Sequence, residues 1–366
     1  MGHGTSTVVT EMNTLPSPSF WANRRVLVTG HTGFKGSWLS MWLTRLGAEV
    51  LGISLPNDPK SRYAFTDLSI PIQDIRADIM SDQWIPEAIK FNPEIVFHLA
   101  AQPIVAEGYR QPLKTFTTNS TGVAQLLTVL QDVKDVRAAV IVTTDKVYDV
   151  RQEPPYKESD FLGGKDPYSA SKAAAEFVVS SWPKTHFKSV TARAGNVVGG
   201  GDWASERLIP DLVRAWSSGM ELTLRDSFGV RPWQHVLEPL RGYLLYAEAV
   251  FNQESVSPSL NFGPTPDSFV PVGEVVQEAA KIWAGREPLV VPRWKQSSLR
   301  TYAETSILTL ESDLASQEIG WKGVLDWRQT LNWTIDWYQG FLSGSPAMML
   351  MKDDIERYRE VIGANE

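Results

Sequence analysis

Gly30, Gly33 and Gly36 fall three residues apart in "TGHTGFKG". The apolar run "RRVLVTG" (24–30) precedes them. After them comes "FKGSWLSMWLTRLG", whose Trp38, Leu39, Trp42, Leu43 and Leu46 recur at helical spacing, with Gly47 as a stop. Few local patterns constrain topology as strongly as a buried strand that turns on glycine straight into a helix. The first glycine permits the tight turn, the second lets backbone approach a pyrophosphate, and the third lets helix and strand pack closely. The helix start adds free N–H groups and the positive end of its dipole. The expectation is a dinucleotide cradle, with Thr32 and Phe34 beside the glycines. A glycine-rich turn without a ligand is the competing reading.

The pattern then repeats. "AEVLGISL" (48–55), "PEIVFHLAA" (93–101), "AAVIVTT" (138–144), "KSVTARAGNVVG" (188–199) and "SLNFGP" (259–264) read as strands, with helical stretches such as "NSTGVAQLLTVLQ" (119–131) between them. Nearly continuous apolar strands alternating with helices predict a parallel sheet covered on both faces, a doubly wound Rossmann-type α/β fold. Beyond about residue 200 the alternation fades into Pro-, Trp- and charge-rich chain with short β-like pieces, "ELTLRD" (221–226) and "EPLVVP" (287–292). Between these, "QHVLEPLRGYLLYAEAV" (234–250) reads as a helix returning to the sheet. The expected division is a flexible leader (1–19), a dinucleotide domain (20–204 and 233–264), a smaller sequence-interleaved substrate lobe (205–232 and 265–345) and a C-terminal helical tail (346–366), with the ligand cleft between the lobes.

A net charge of -7 argues against general nucleic-acid binding. The absence of Cys removes disulfides, thiolate metal sites and Cys nucleophiles together, fits a reducing compartment, and leaves no metal site expected. No apolar stretch approaches the roughly 20 residues of a spanning helix, and the first 20 residues lack the apolar region of a signal peptide. A cytoplasmic protein that binds no membrane is expected. The 14 Trp are expected in core and interface.

At the second strand's end, Ser54 stands where an acid usually takes the ribose hydroxyls, and Asp58, Lys60 and Arg62 follow. NAD is expected over NADP. Asp78, beside Ile79, is a candidate for the adenine amino group or a turn residue. Tyr168 and Lys172 in "YSASK" share a helix face at i, i+4. A nearby ammonium and a cationic nicotinamide would both favour the phenolate of Tyr168, letting it take a hydroxyl proton as hydride leaves the same carbon.

"VLVTGHTGFKG", "HLAAQP" and "DPYSASK" resemble the extended short-chain dehydrogenase/reductases. "TGHTGFKGSWL", "TTDKVYD", "RAGNVVGGGDW", "RLIPD" and "RPWQHVLEPL" are similar to the nucleotide-sugar 4,6-dehydratases in their cytidine branch, from about Phe20 to Trp337. The resemblance implies a CDP-hexose substrate, oxidation at C4 with hydride passing to NAD, loss of water across C5 and C6, and hydride return to C6. It implies Thr144 on the C4 oxygen, Asp145 protonating the departing hydroxyl and Lys146 accepting the C5 proton. Related dTDP-glucose dehydratases carry Glu at the Lys146 position. Such a Lys must fall from about 10.4 and such an Asp rise from about 3.9; a plain salt bridge is the alternative. Leu99, Ala100, Ala101, Gln102 and Asn119 are implied at the cofactor, Asn119 competing with a helix-cap role. Asn196, Arg207, Leu208, Arg231 and His235 are implied at the substrate, the arginines at its diphosphate. The resemblance also implies a homodimer or homotetramer and a place in O-antigen biosynthesis.

This chain departs from the pattern at Ala106, Glu107 and Gly108, in the 149–160 loop, in the abbreviated stretch 182–189 and in "WKQSSLRTYAE" (294–304), all near where hexose or base would sit. A 4-epimerase needs Thr144, Tyr168 and Lys172 but no elimination pair, so "TDK" weighs against it. A non-catalytic dinucleotide-binding regulator would typically lose the Tyr–Lys pair, which is intact.

Overall fold

The computed structural model describes residues 14–56, 70–286, 291–297 and 306–363. Six strands, β1 (Arg25–Thr29), β2 (Glu49–Ser54), β3 (Gln73–Arg76), β4 (Ile95–His98), β5 (Ala138–Val142) and β6 (Lys188–Ala194), form one sheet with the strand Ser259–Phe262. Its order is Ser259–Phe262, β6, β5, β4, β1, β2, β3, and every pairing is parallel. β1 lies between β2 and β4, so the chain leaves it in one direction and later resumes on its other side. That reversal opens a crevice at the carboxyl ends of β1 and β4.

The inner strands are largely buried and only the edge strand β3 is open to solvent, and the strands' alternation divides two cores. Val26, Val28, Ile95, Phe97, Val140 and Val142 face the layer holding the glycine-turn helix (Phe34–Arg45) and the helix Leu237–Phe251. Leu27, Val96, Ala139 and Ile141 face the helix Gly122–Leu130. Trp38, Leu39, Trp42, Leu43 and Leu46 of the first helix are all buried, as their spacing predicted. Eight Trp are fully buried, among them Trp38, Trp42, Trp283 and Trp337.

Past residue 200 the β structure is short. Leu222–Leu224 pairs with Trp294–Gln296, and Val230–Pro232 with Phe269–Pro271. The expected strand at 287–292 falls largely outside the described residues. The start of the chain departs from expectation, and its end matches the helical tail expected there. Ser17 caps a helical turn, Pro18–Trp21, and donates its N–H to Glu248 at 2.9 Å, so ordered chain starts ahead of Phe20. The C-terminal helix Ala347–Gly363 docks on its own chain, against Trp327–Leu342 and the glycine-turn helix. Its Met351, Ile355, Tyr358 and Ile362 are buried, and Tyr358 Oη reaches Glu238 Oε2 at 2.6 Å. The helix expected from Asn119 starts earlier: Pro112–Leu130 is helical throughout, and Asn119 lies inside a wide turn, Thr117–Thr121. It therefore caps nothing.

Candidate active site

Gly30 holds φ at +75°. A Cβ there would lie 2.7 Å from Ala100 N, so the turn rests directly on "HLAA". A Cβ on Gly36 would lie 2.1 Å from Gly30 O, which restricts that helix position to glycine. Gly33 begins the helix with no side-chain cap. Gly30, Thr32, Gly33, Phe34 and Gly36 line one cavity of about 630 Å³, together with Ser54, Asp78, Ile79, Leu99, Ala100 and Ala101. A bare backbone cradle at an uncapped helix start suits the pyrophosphate of a dinucleotide.

At the ribose end, Ser54 Oγ accepts the Thr32 N–H at 3.2 Å. Asp74, the acid on neighbouring β3, does not line the cavity. Asp74 Oδ1 lies 3.0 Å from His31 Nε2 and its other oxygen 2.8 Å from Arg76. The His31 ring lies so close to Gly52 that a Cβ there would come within 2.4 Å. Burial lowers the His31 pKa, with Asp74 opposing. Sequence reasoning passed over His31, Asp74 and Arg76; only the β2–β3 register, Gly52 opposite Asp74 and Ser54 opposite Arg76, brings them together. Asp78 accepts the Met80 N–H at 2.9 Å, so it closes a turn while also lining the cavity. Asp58, Lys60 and Arg62 lie outside the described residues.

Thr144, Asp145 and Lys146 follow β5 in a tight turn that faces Tyr168 and Lys172 on the helix Pro167–Ser181. Thr144 Oγ1 donates to Asp145 Oδ1 at 2.9 Å and accepts the Lys146 N–H at 3.4 Å. Asp145 is 1% exposed, and its Oδ2 has no partner. Lys146 Nζ stands 3.6 Å from Asp145 Oδ1. The phenolate expected of Tyr168 is not what the protein alone provides: burial pushes its pKa up to about 12, with Thr144 and Arg207 opposing. Lys172 donates to Val142 O at 2.9 Å, and burial lowers it to about 8.

The sequence pattern of the NAD dependent epimerase/dehydratase family matches residues 26–259. This chain belongs to that family. Within it, the chain is 37% identical over 355 residues to a CDP-glucose 4,6-dehydratase of Salmonella typhimurium, an alignment covering 93% of this chain and 97% of that one. It is 24% identical to a trifunctional UDP-glucose 4,6-dehydratase/3,5-epimerase/reductase of Arabidopsis thaliana, matching 90% of this chain and half of that longer protein. In fold it is similar to UDP-glucuronic acid 4-epimerase of Bacillus cereus, solved with UDP-glucuronic acid and NAD, at 20% identity and a TM-score of 0.74 over 87% of this chain and 99% of that one.

The remaining candidates divide. Asn196, Arg207, Leu208 and Arg231 line the same cavity. Arg207 is paired with Asp202 at 2.8 Å, and Arg231 Nη1 donates to Val230 O at 2.8 Å. His235 does not line it, which corrects its placement at the substrate. Its ring is fully buried, edge-on to Trp38 and Trp333, and burial lowers its pKa to about 3. Gln102 and Asn119 also lie off the cavity wall. Asn119 accepts the Gln102 N–H at 2.8 Å and donates to Ser171 Oγ at 2.9 Å, while the Gln102 side chain bonds Thr115 and Ile104. They brace the loop after β4 against the Tyr168 helix. Gly108, one of the departures, also serves packing: a Cβ there would come within 3.1 Å of Tyr168 N. Lys35, read only as part of the glycine motif, lines the cavity too.

Proposed function

We propose that this chain converts CDP-D-glucose to CDP-4-keto-6-deoxy-D-glucose, with NAD as a cofactor restored at the end of each cycle. The observation that carries this reading is the Thr144–Asp145–Lys146 turn set against Tyr168 and Lys172 inside the cavity that begins at the glycine cradle. The resemblance in sequence to a CDP-glucose 4,6-dehydratase supports it.

NAD, when bound, supplies hydride uptake and return. Gly30, Gly33 and Gly36 would hold its pyrophosphate, with Ser54 and Asp78 toward the adenosine. Tyr168 receives the proton of the C4 hydroxyl; that requires its pKa to fall from about 12, and a cationic ring brought close by ligand binding acts in that direction. Thr144 orients the C4 oxygen. With the pair in its neutral form, Lys146 takes the C5 proton and gives it back to C5 as hydride returns to C6, and Asp145, whose Oδ2 is free of partners, gives its proton to the C6 hydroxyl, which leaves as water. Arg207 and Arg231 anchor the diphosphate beside Asn196 and Leu208. The two-lobed division, with substrate held by residues 205–232 and 265–345, a homo-oligomeric assembly, a cytoplasmic location and a role in surface-polysaccharide sugar supply belong to the same proposal.

The test is incubation with CDP-glucose and NAD, reading the alkali-induced absorbance of a 4-keto-6-deoxy sugar. Deuterium placed at C4 is expected in the product methyl group. A galacto product without that absorbance would instead make the chain a 4-epimerase, and no turnover a binding protein.

A further inference from the structure

Lys35 is an ionisable group of the cavity to which the reaction above gives no task. It sits in the first turn of the glycine-turn helix, lines the cavity and is partly exposed. Its Nζ lies 3.5 Å from Tyr243 Oη and 5.9 Å from the centre of that fully buried ring. Among the described residues it forms no ion pair. The two acids that act on it are engaged elsewhere, Asp145 facing Lys146 and Asp202 bonded to Arg207. An ammonium has three donors, and one long contact to a phenol leaves most of that capacity unused.

The surroundings explain what such a lysine does. Lys172 faces it from the helix Pro167–Ser181, Arg207 and Asp202 from the loop before Leu208–Ser217, Asp145 from the turn after β5, and Tyr243 from Leu237–Phe251. Burial first, then Arg207 and Lys172, bring Lys35 down to about 7; Asp145 and Asp202 only partly offset them. An anion entering the cavity would supply the missing counter-charge and the missing acceptors together.

Resting on the reading of the cleft given above, we propose that Lys35 is a diphosphate anchor that takes up a proton as its ligand enters. The diphosphate comes either from the dinucleotide or from the sugar nucleotide. The residue thus couples occupancy of the cleft to the charge of its floor.

Calorimetric titration decides this. NAD alone and CDP-glucose alone are titrated at pH 8 in buffers of different ionisation enthalpy. A group of pKa 7 is about nine-tenths neutral there, so uptake approaching one proton per site is expected in the arm whose diphosphate Lys35 meets. Lys35→Met should abolish most of that uptake and weaken that ligand about tenfold. Lys35→Arg, charged at every working pH, should bind without uptake. Buffer-independent enthalpies in the wild-type protein overturn the proposal without recourse to any variant. So does uptake that persists in Lys35→Met, which would assign it to Lys172. Binding without proton uptake sinks only the Lys35 assignment, whereas failure of both nucleotides to bind sinks the reading of the cleft and this proposal with it.

Discussion

Tyr168, Thr144 and Asp145 form a cluster on the wall of one cavity, where burial raises the pKa of Tyr168. Removing the phenol hydroxyl removes the first member. Tyr168→Phe is expected to slow C4 oxidation about a thousandfold while NAD affinity stays within a few-fold, measured by single-turnover appearance of reduced nicotinamide and by calorimetry. Retention of near-native turnover would remove Tyr168 from its role. Lys146 belongs to the next stage. Lys146→Ala should leave oxidation at C4 reversible and measurable, yet slow loss of water about a hundredfold or more, read from solvent-deuterium exchange at C5. Equal damage to both stages would contradict its placement as the C5 base. Residue types at this site were legible because "TTDKVYD" and "YSASK" are local strings. Their protonation was not, since the desolvation acting on Tyr168 is set by the elements that close over it.

At the scale of elements, the Thr144–Lys146 turn is clamped from below. Glu176, two turns beyond Tyr168 on the same helix, accepts from Thr191 at 2.6 Å and from Arg193 Nη2 at 2.8 Å, both on β6, and also from Thr143. Arg193 continues to Tyr148 Oη at 2.9 Å, which donates to Asn261 at 2.7 Å. Thr143 and Tyr148 flank the Thr144–Lys146 turn on either side. This one buried pair thus ties the acid–base turn to the Tyr–Lys helix. Glu176→Gln or Arg193→Met leaves a buried charge without its partner and should cost about 3 kcal/mol, read as a lowered urea midpoint. An unchanged midpoint would show that the pair is not a clamp. The glycine-turn helix makes the opposite point. Gly36→Ala cannot fit against Gly30 O without moving the helix, so NAD affinity should fall at least tenfold in a protein that still folds, as equilibrium binding would reveal.

Across the whole molecule, the last helix is held where it carries a buried acid. Asp354 is 9% exposed with an unpartnered Oδ2, and burial raises its pKa to about 8, Arg357 opposing and Asp336 and Asp353 adding to the rise. A carboxyl with a raised folded pKa stabilises fully below its unfolded value near 3.8 and loses that contribution as pH climbs toward 8. Asp354→Asn should therefore raise Tm by roughly 2–4 °C at pH 8 and leave it nearly unchanged near pH 4. A gain largest at acid pH would refute the assignment. The sequence by itself determined the sheet strands other than β3, the glycine turn, the helix of Tyr168 and Lys172 and the Thr144–Lys146 turn, because each is written in the spacing of a few neighbouring residues and in backbone freedom that only glycine has. Only the tertiary structure decided that His235 belongs to the core against Trp333, that Asn119 braces Gln102, that Asp74 pairs with His31, and that Lys35 reaches the cavity beside Tyr243, 208 positions along the chain. Exposure and charge at those residues depend on which remote surfaces exclude water from them, and local spacing carries no record of that.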